Sequence, residues 1–171
     1  VIRTIGNPFD RFNEDFLRML RAVRFAGRMD FTIEPNTLKA IKESAHNIVN
    51  IAPERVKDEL FKMASLEGRR FARCIELLDE TNLLNFILPE IKTLKGFNES
   101  IMWHPEAYIH GEGTPFCHTL AAIRVNKETS NPLFNLSILF HDIGKGVTHE
   151  VVDGKHRFHL MTMKVLNCLK K

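Results

Sequence analysis

Residues 11–29 read "RFNEDFLRMLRAVRFAGRM". Five arginines and the adjacent acids Glu14 and Asp15 share this stretch with a helical apolar pattern. At about 100° per residue, Phe16, Met19, Leu20, Val23 and Gly27 fall on one face, whereas Asp15, Arg18 and Ala22 lie together within about 60° on another. Asn13 is expected to cap the helix, with Glu14 and Asp15 in its positive first turn, and Gly27 to close it. An aspartate only accepts hydrogen bonds and an arginine only donates. Side by side, Asp15 and Arg18 match the exocyclic amino group and ring nitrogen of cytosine or adenine. Uracil and guanine would set a carbonyl against the carboxylate, at a cost of roughly 1–3 kcal/mol. The same charges also read as a surface ladder, with Glu14–Arg18 and Asp15–Arg18 pairs worth roughly 0.2–0.5 kcal/mol each.

Working outward, the chain reads as almost all helix. Pro35 suits the first turn of a helix running to about Ala45, and Pro53 opens another in "APERVKDELFKMASL", with Val56, Leu60, Phe61 and Leu66 at helical spacing. "GRRFARCIELLDE" buries Phe71, Cys74, Ile75 and Leu78, and "TNLLNFILPEIKTL" holds two short helical pieces broken at Pro89. From about Lys95 the sequence turns loop-rich, with His104 and His110 in "GFNESIMWHPEAYIHGEGTPFCHT". Two helices then follow, in "PFCHTLAAIRVNKE" and "NPLFNLSILFHDIGKG", and Asp153-Gly154 reads as a turn.

The 44% hydrophobic and 26% charged content of the 171 residues is that of one or two small globular domains. No apolar run approaches the roughly 18–20 residues that span a bilayer, so no membrane role is expected. Three widely spaced cysteines, Cys74, Cys117 and Cys168, suit reduced thiols in the cytoplasm better than a disulfide framework. The first 75 residues hold 14 Lys/Arg against 10 Asp/Glu, and the remaining 96 hold 10 against 11. Phosphate-bearing partners therefore suit the first half better. Val1 and the unterminated helical pattern at the end suggest a piece of a longer chain.

A second constellation lies in "LSILFHDIGKG". His141 and Asp142 follow an apolar helix, and His118 sits 23 residues upstream near the start of its own helix. Two histidines and an aspartate form a mixed N/O donor set suited to Mn²⁺, Fe²⁺, Zn²⁺ or Ni²⁺. Lys145 is close enough in sequence to meet a phosphate. Packing histidines and a capping aspartate are the structural alternative.

The string "IRTIGNPFDRFNEDFLRMLRAVRFA", residues 2–26, closely resembles the class II tRNA nucleotidyltransferases, the CCA-adding enzymes and bacterial poly(A) polymerases. These carry "R-x-(I/V)-G-(D/N)-P" followed by "R-(F/Y)-x-E-D-x-x-R-x-L-R-A-x-R-F". The resemblance implies that Glu14, Asp15 and Arg18 form the motif that reads the incoming base, and that Arg21 and Arg24 line the nucleotide pocket. "IAPERVKDELFKM" resembles the neck motif of that family, with Glu54, Arg55 and Glu59 in register and Arg55 supporting the pocket. "LLNFILPEIKTLKGF" resembles a further family segment, with Asn82 where glycine is usual. "HTL…HDIGKG" resembles the HD phosphohydrolase domain, which implies that His118, His141 and Asp142 are its first three metal ligands. In the next segment Phe158 aligns, but Leu160 and Met161 replace the usual glycine and histidine, and His156 and His159 are out of register.

The expected fold is all-α: a nucleotide-recognition helix in residues 1–30, a helical RNA-binding neck in 31–100 and a partial HD-type domain in 101–171. The expected partners are tRNA, CTP and ATP. In this family two carboxylates in an N-terminal head hold Mg²⁺ for nucleotidyl transfer. No paired-carboxylate motif precedes residue 11, so no catalytic residue is assigned and the chain is expected not to add nucleotides alone. The alternatives are an HD phosphohydrolase resting on a helical scaffold, a poly(A) polymerase body and a non-enzymatic RNA-binding module.

Overall fold

The computed structural model describes residues 1–96, 113–127, 130–152 and 155–158. His104, His110, the Asp153-Gly154 turn, His159, Leu160, Met161 and Cys168 lie outside them. The chain divides into two units, Val1–Pro89 with Ile123–Leu136, and Glu90–Ala122 with Ser137–Lys171.

The first unit opens with α1 (Pro8–Glu14), capped by the Asn7 side chain, which accepts the Phe9 N–H at 3.0 Å. Asp15 then leaves the helix in an extended conformation (φ −159°, ψ 106°) and α2 begins at Leu17, ending at Met29. The single helix expected from Asn13 to Gly27 is therefore two. Asn13 lies inside α1, and the break falls where the Asp15 carboxylate accepts the Leu17 N–H at 3.1 Å. That bond gives the backbone an alternative to the helical ladder, as aspartates readily do.

Helix α2 also runs past Gly27. A Cβ there would sit 2.3 Å from Cys74 Sγ and within 3.3 Å of two backbone atoms of α5 (Gly68–Glu80). The glycine thus serves close helix–helix approach. The actual C-cap is Asp30, in the left-handed region at φ 54°, with its N–H on the Ala26 carbonyl. Leu17, Met19, Leu20, Val23 and Ala26 are buried, while Phe16 is half-buried.

Glu34 caps α3 (Pro35–Ser44), its carboxylate accepting the N–H groups of Asn36 and Thr37. A 3₁₀ segment, Ala45–Asn50, leads to α4 (Pro53–Ala64). The buried residues of α4 are Glu59, Met63 and Ala64. Val56, Leu60 and Leu66 are only half-buried and Phe61 is exposed, because the inward-facing Glu59 turns the helix away from the purely apolar stripe. In α5, Phe71, Cys74, Ile75 and Leu78 are all buried, and burial pushes the Cys74 thiol up to about 12. Asn82, at the usual glycine position, has φ 63°, a conformation that asparagine tolerates better than other side chains. Helix α6 (Leu84–Ile87) follows, and Pro89 opens α7 (Pro89–Thr93), as the expected break requires.

The later segment of the first unit is tied down by a polar network. Asn135 donates to the carbonyls of Ala64 at 2.8 Å and Leu66 at 3.0 Å, and its oxygen accepts from Asn126 at 2.7 Å. These bonds give the buried Asn135 side chain partners for both its amide nitrogen and its oxygen.

The second unit contains most of α7 and of α8 (Pro115–Val125), the last turn of α9 (Pro132–Phe140), then α10 (Lys145–Thr148). Strands β1 (His149–Val152) and β2 (Lys155–Phe158) pair antiparallel, His149 opposite Phe158. This short ribbon is an addition to an otherwise all-α body. No helix among the described residues is long and apolar enough to cross a membrane.

Gly27→Ala is expected to destabilise the chain by about 1–3 kcal/mol, because overpacking against Cys74 outweighs the alanine's helix propensity. Chemical denaturation measures it, and a stability gain would refute the close-approach role.

Candidate functional sites

The first candidate site forms at the α1–α2 corner. Arg11 and Arg18 both grip Glu14, at 2.9 and 2.5 Å, and Arg18 also donates to the Arg11 carbonyl at 2.9 Å. The hydrogen bond from Arg18 is the main cause holding the Glu14 carboxyl below its usual range. Asp15 Oδ1 accepts from Leu17, and Oδ2 accepts from Arg55 of α4 at 2.9 Å. Partial burial would raise the Asp15 carboxyl, but the bonds from Arg55 and Leu17, helped by the charge of Arg18, hold it low. It is an ionised acceptor. Each oxygen keeps a lone pair free, and Arg18 keeps N–H donors beyond those used.

Asp15 therefore joins Arg18 from a helix break rather than from a shared helix face. Arg55 meets it from 40 residues away in sequence. Arg21 is exposed and makes no ion pair among the described residues. Arg24 is placed differently. Its Nε donates to Glu59 at 2.7 Å, the carboxylate is 2% exposed, and Lys62 reaches the same carboxylate at 2.9 Å. The Arg24 guanidinium also lies 4.3 Å from the Phe25 ring centre. Arg11, the first arginine of the second quoted motif but given no role there, is the added member. Its i,i+3 spacing to Glu14 is the signal that exposes it.

The second candidate site lies in the second unit. His141 and Asp142 follow the end of α9, and His118 projects from α8. His141 Nε2 is 3.3 Å from His118 Nε2 and 3.2 Å from Asp142 Oδ2, which is 4.0 Å from His118 Nε2. An ion with N and O ligands at about 2.0–2.2 Å separates neighbouring donor atoms by about 3–3.5 Å. The two distances from His141 Nε2 fall within that spacing, and the His118–Asp142 distance of 4.0 Å is longer.

The His141 Nδ1 hydrogen bond supports the fit. It lies 2.7 Å from the Ile138 carbonyl, so Nδ1 carries a proton and Nε2 is the ring atom turned toward Asp142 and His118, where a bound ion would take the place of the Nε2 proton. Burial opposes ionisation of Asp142, but His141 and Lys145 hold its carboxyl at about 2. The hydrogen bond to Asp142 raises His141 in turn. Lys145 sits 2.7 Å from Asp142 Oδ2, so its ammonium serves the carboxylate first.

Residues 30–95 match the family model described as "Probable RNA and SrmB-binding site of polymerase A". The chain is 43% identical over 95 residues to a CCA-adding enzyme of Anoxybacillus flavithermus, covering 56% of this chain and 23% of that protein. It is 35% identical over 179 residues to a multifunctional CCA protein of Aliivibrio salmonicida, covering 99% of this chain and 41% of the relative. A CCA-adding enzyme of Limosilactobacillus reuteri is 54% identical over 63 residues, 37% of this chain and 16% of its own. The chain thus spans less than half the length of these curated relatives.

Glu59→Gln leaves Arg24 without its counter-charge and is expected to cost about 3 kcal/mol at pH 7. Burial acts to raise the Glu59 carboxyl, but the bonds from Arg24 and Lys62 win and lower it. Its stabilisation is therefore complete above the unfolded carboxyl range and fades as pH falls through the folded value. Denaturation at pH 7 and pH 3 should show the gap between wild type and Glu59→Gln narrowing in acid; a constant gap would contradict it.

Proposed function

The chain belongs to the family of CCA-adding enzymes and poly(A) polymerases, and we propose that it is the part of a tRNA nucleotidyltransferase that chooses the nucleotide and holds the RNA. The observation that carries this reading is the α1–α2 corner: an ionised Asp15 with spare acceptor capacity beside an Arg18 with spare donors. In the intact cytoplasmic enzyme, Asp15 accepts from the amino group of cytosine or adenine and Arg18 donates to the ring nitrogen. Glu14 and the Arg11 carbonyl keep Arg18 in place, and Arg55 keeps Asp15 in place. Both groups are thus set before the base arrives, so little ordering cost falls on binding. Arg21 is free to meet the nucleotide phosphates, whereas Arg24 acts through the buried pair that joins α2 to α4.

Residues 1–30 supply the reader and residues 31–100 the RNA-binding neck. Bond formation belongs to a Mg²⁺-bearing head, so this chain selects without joining. Residues 101–171 form a partial HD domain in which His118, His141 and Asp142 would hold a divalent ion. Such an ion supplies Lewis-acid chemistry toward phosphate oxygens and water. The donor spacing and the Nδ1–carbonyl bond of His141 support that site.

Isothermal titration of the chain with the four nucleotides tests the reader. CTP and ATP are expected to bind at least about tenfold tighter than UTP and GTP, with Arg18→Ala abolishing the difference. Asp15→Asn should erode discrimination, since an amide can donate to a carbonyl. ATP binding without CTP binding points to a poly(A) polymerase body. No nucleotide binding, together with metal-dependent phosphoester hydrolysis, favours the phosphohydrolase reading. Nucleotide addition by this chain alone overturns the division of labour.

Metal content after incubation with Mn²⁺ or Co²⁺ and desalting tests the second site. One ion per chain is expected, lost in His141→Ala and Asp142→Ala. Equal metal content in the variants excludes these ligands.

A further inference from the structure

We propose that an arginine-lined hollow at the C-terminal end of α2 binds one phosphodiester of the RNA strand, apart from the base-reading corner. This rests on the RNA-binding reading above and assigns it a place. The hollow, about 470 Å³, lies wholly within the first unit and is lined by Arg69, Arg70 and Arg73 of α5 and Arg124 of α8. Asp30, Glu67 and Glu76 complete its charged wall.

The arginines divide into two pairs with different work. Glu76 takes Arg73 at 3.3 Å through one carboxylate oxygen and Arg124 through the other. One acid therefore orients two guanidiniums from different helices and neutralises only one of them. Each guanidinium has five N–H donors, so most remain for a ligand. Arg69 and Arg70 are exposed and make no ion pair among the described residues. Two fixed and two unengaged arginines around one hollow suit the forked, charge-assisted bonds that arginine makes to phosphate oxygens.

The charge balance selects the kind of phosphate. Four arginines against three carboxylates leave one net positive charge. A phosphodiester brings one negative charge. A pyrophosphate or nucleoside triphosphate brings several, with Asp30 and Glu67 opposing the excess. The hollow is thus matched to a polymer backbone rather than to a free nucleotide.

Its position agrees. Arg69, Arg70 and Arg73 fall inside residues 30–95, the segment whose family model is described as a probable RNA-binding site. Arg18 and Asp30 are twelve residues apart along α2, roughly 18 Å at the helical rise. A strand whose growing end lies at Arg18 would have its backbone at the hollow several nucleotides back. Gly27, where a Cβ would meet Cys74, also lines the hollow and leaves its wall without a side chain there.

The test is fluorescence anisotropy of the full chain with a labelled acceptor-stem hairpin RNA bearing a single-stranded 3′ end, across a salt series. The double variant R69A/R70A is expected to weaken RNA binding about tenfold and to flatten the salt slope by about 1, with CTP and ATP binding unchanged. Both side chains are exposed, and an unchanged thermal melt will confirm that the variant folds. Wild-type RNA affinity and slope in the double variant overturn the hollow while leaving the RNA-binding reading intact. No RNA binding by the wild type overturns both. Loss of CTP or ATP binding in the double variant, or displacement of RNA by micromolar pyrophosphate at fixed ionic strength, reassigns the hollow to a free phosphate ligand and overturns the proposal.

Discussion

Arg24 and Glu59 meet at 2.7 Å in the interior of the first unit, and this ion pair sets the register of α4 against α2. Arg55 and Glu59 are four residues apart on α4, so they share one face a turn apart. Once Glu59 is fixed on Arg24, Arg55 is carried to the start of α2, where it meets Asp15. The two contacts form a ladder with one buried rung and one open to solvent. The buried rung has little freedom, because an unpaired charge there would face several kcal/mol of desolvation cost. The open rung, half exposed on its Arg55 side, is the one that the proposed nucleotide site draws on. One acid–base pair thus builds the geometry and a second stands at its surface.

Much of this was legible in the sequence, and the limits have physical causes. Helices starting at Pro35, Pro53 and Pro89 were readable because proline is tolerated in the first helical turn and excluded further in. The buried face of α5 was readable because its amphipathic stripe is wide and has no inward charge. The face of α4 was not, since an inward Glu59 looks polar to any periodicity argument and its partner is 35 residues away. The α1–α2 break was hidden for a related reason. Asp15 inside a strong helical pattern reads as a helix residue until its side chain is seen bonding backbone two residues on.

Gly27 taught the converse lesson. A glycine near the end of an amphipathic run suggests a cap, and only the α5 backbone beside it reveals a packing role. The site residues divide in the same way. Asp15 and Arg18 could be paired by hydrogen-bond logic alone, and Arg55 came from motif resemblance. The placement of Arg24 required coordinates, because nothing local separates an arginine that binds a ligand from one that anchors a fold. For His118, His141 and Asp142 the sequence offered three donor types. The structure adds the Ile138 carbonyl, which holds the Nδ1 proton and leaves Nε2 facing the other two donors.

The close contact between Gly27 and Cys74 has a chemical side as well. The thiol is fully buried, and with its ionisation pushed up to about 12 almost none of it is thiolate near neutrality. A thiol-modifying reagent can reach it only when the packing around α5, α2 included, opens. Cys74 is thus a built-in clock: its modification rate counts how often the packing between α2 and α5 opens, a motion that binding measurements do not register.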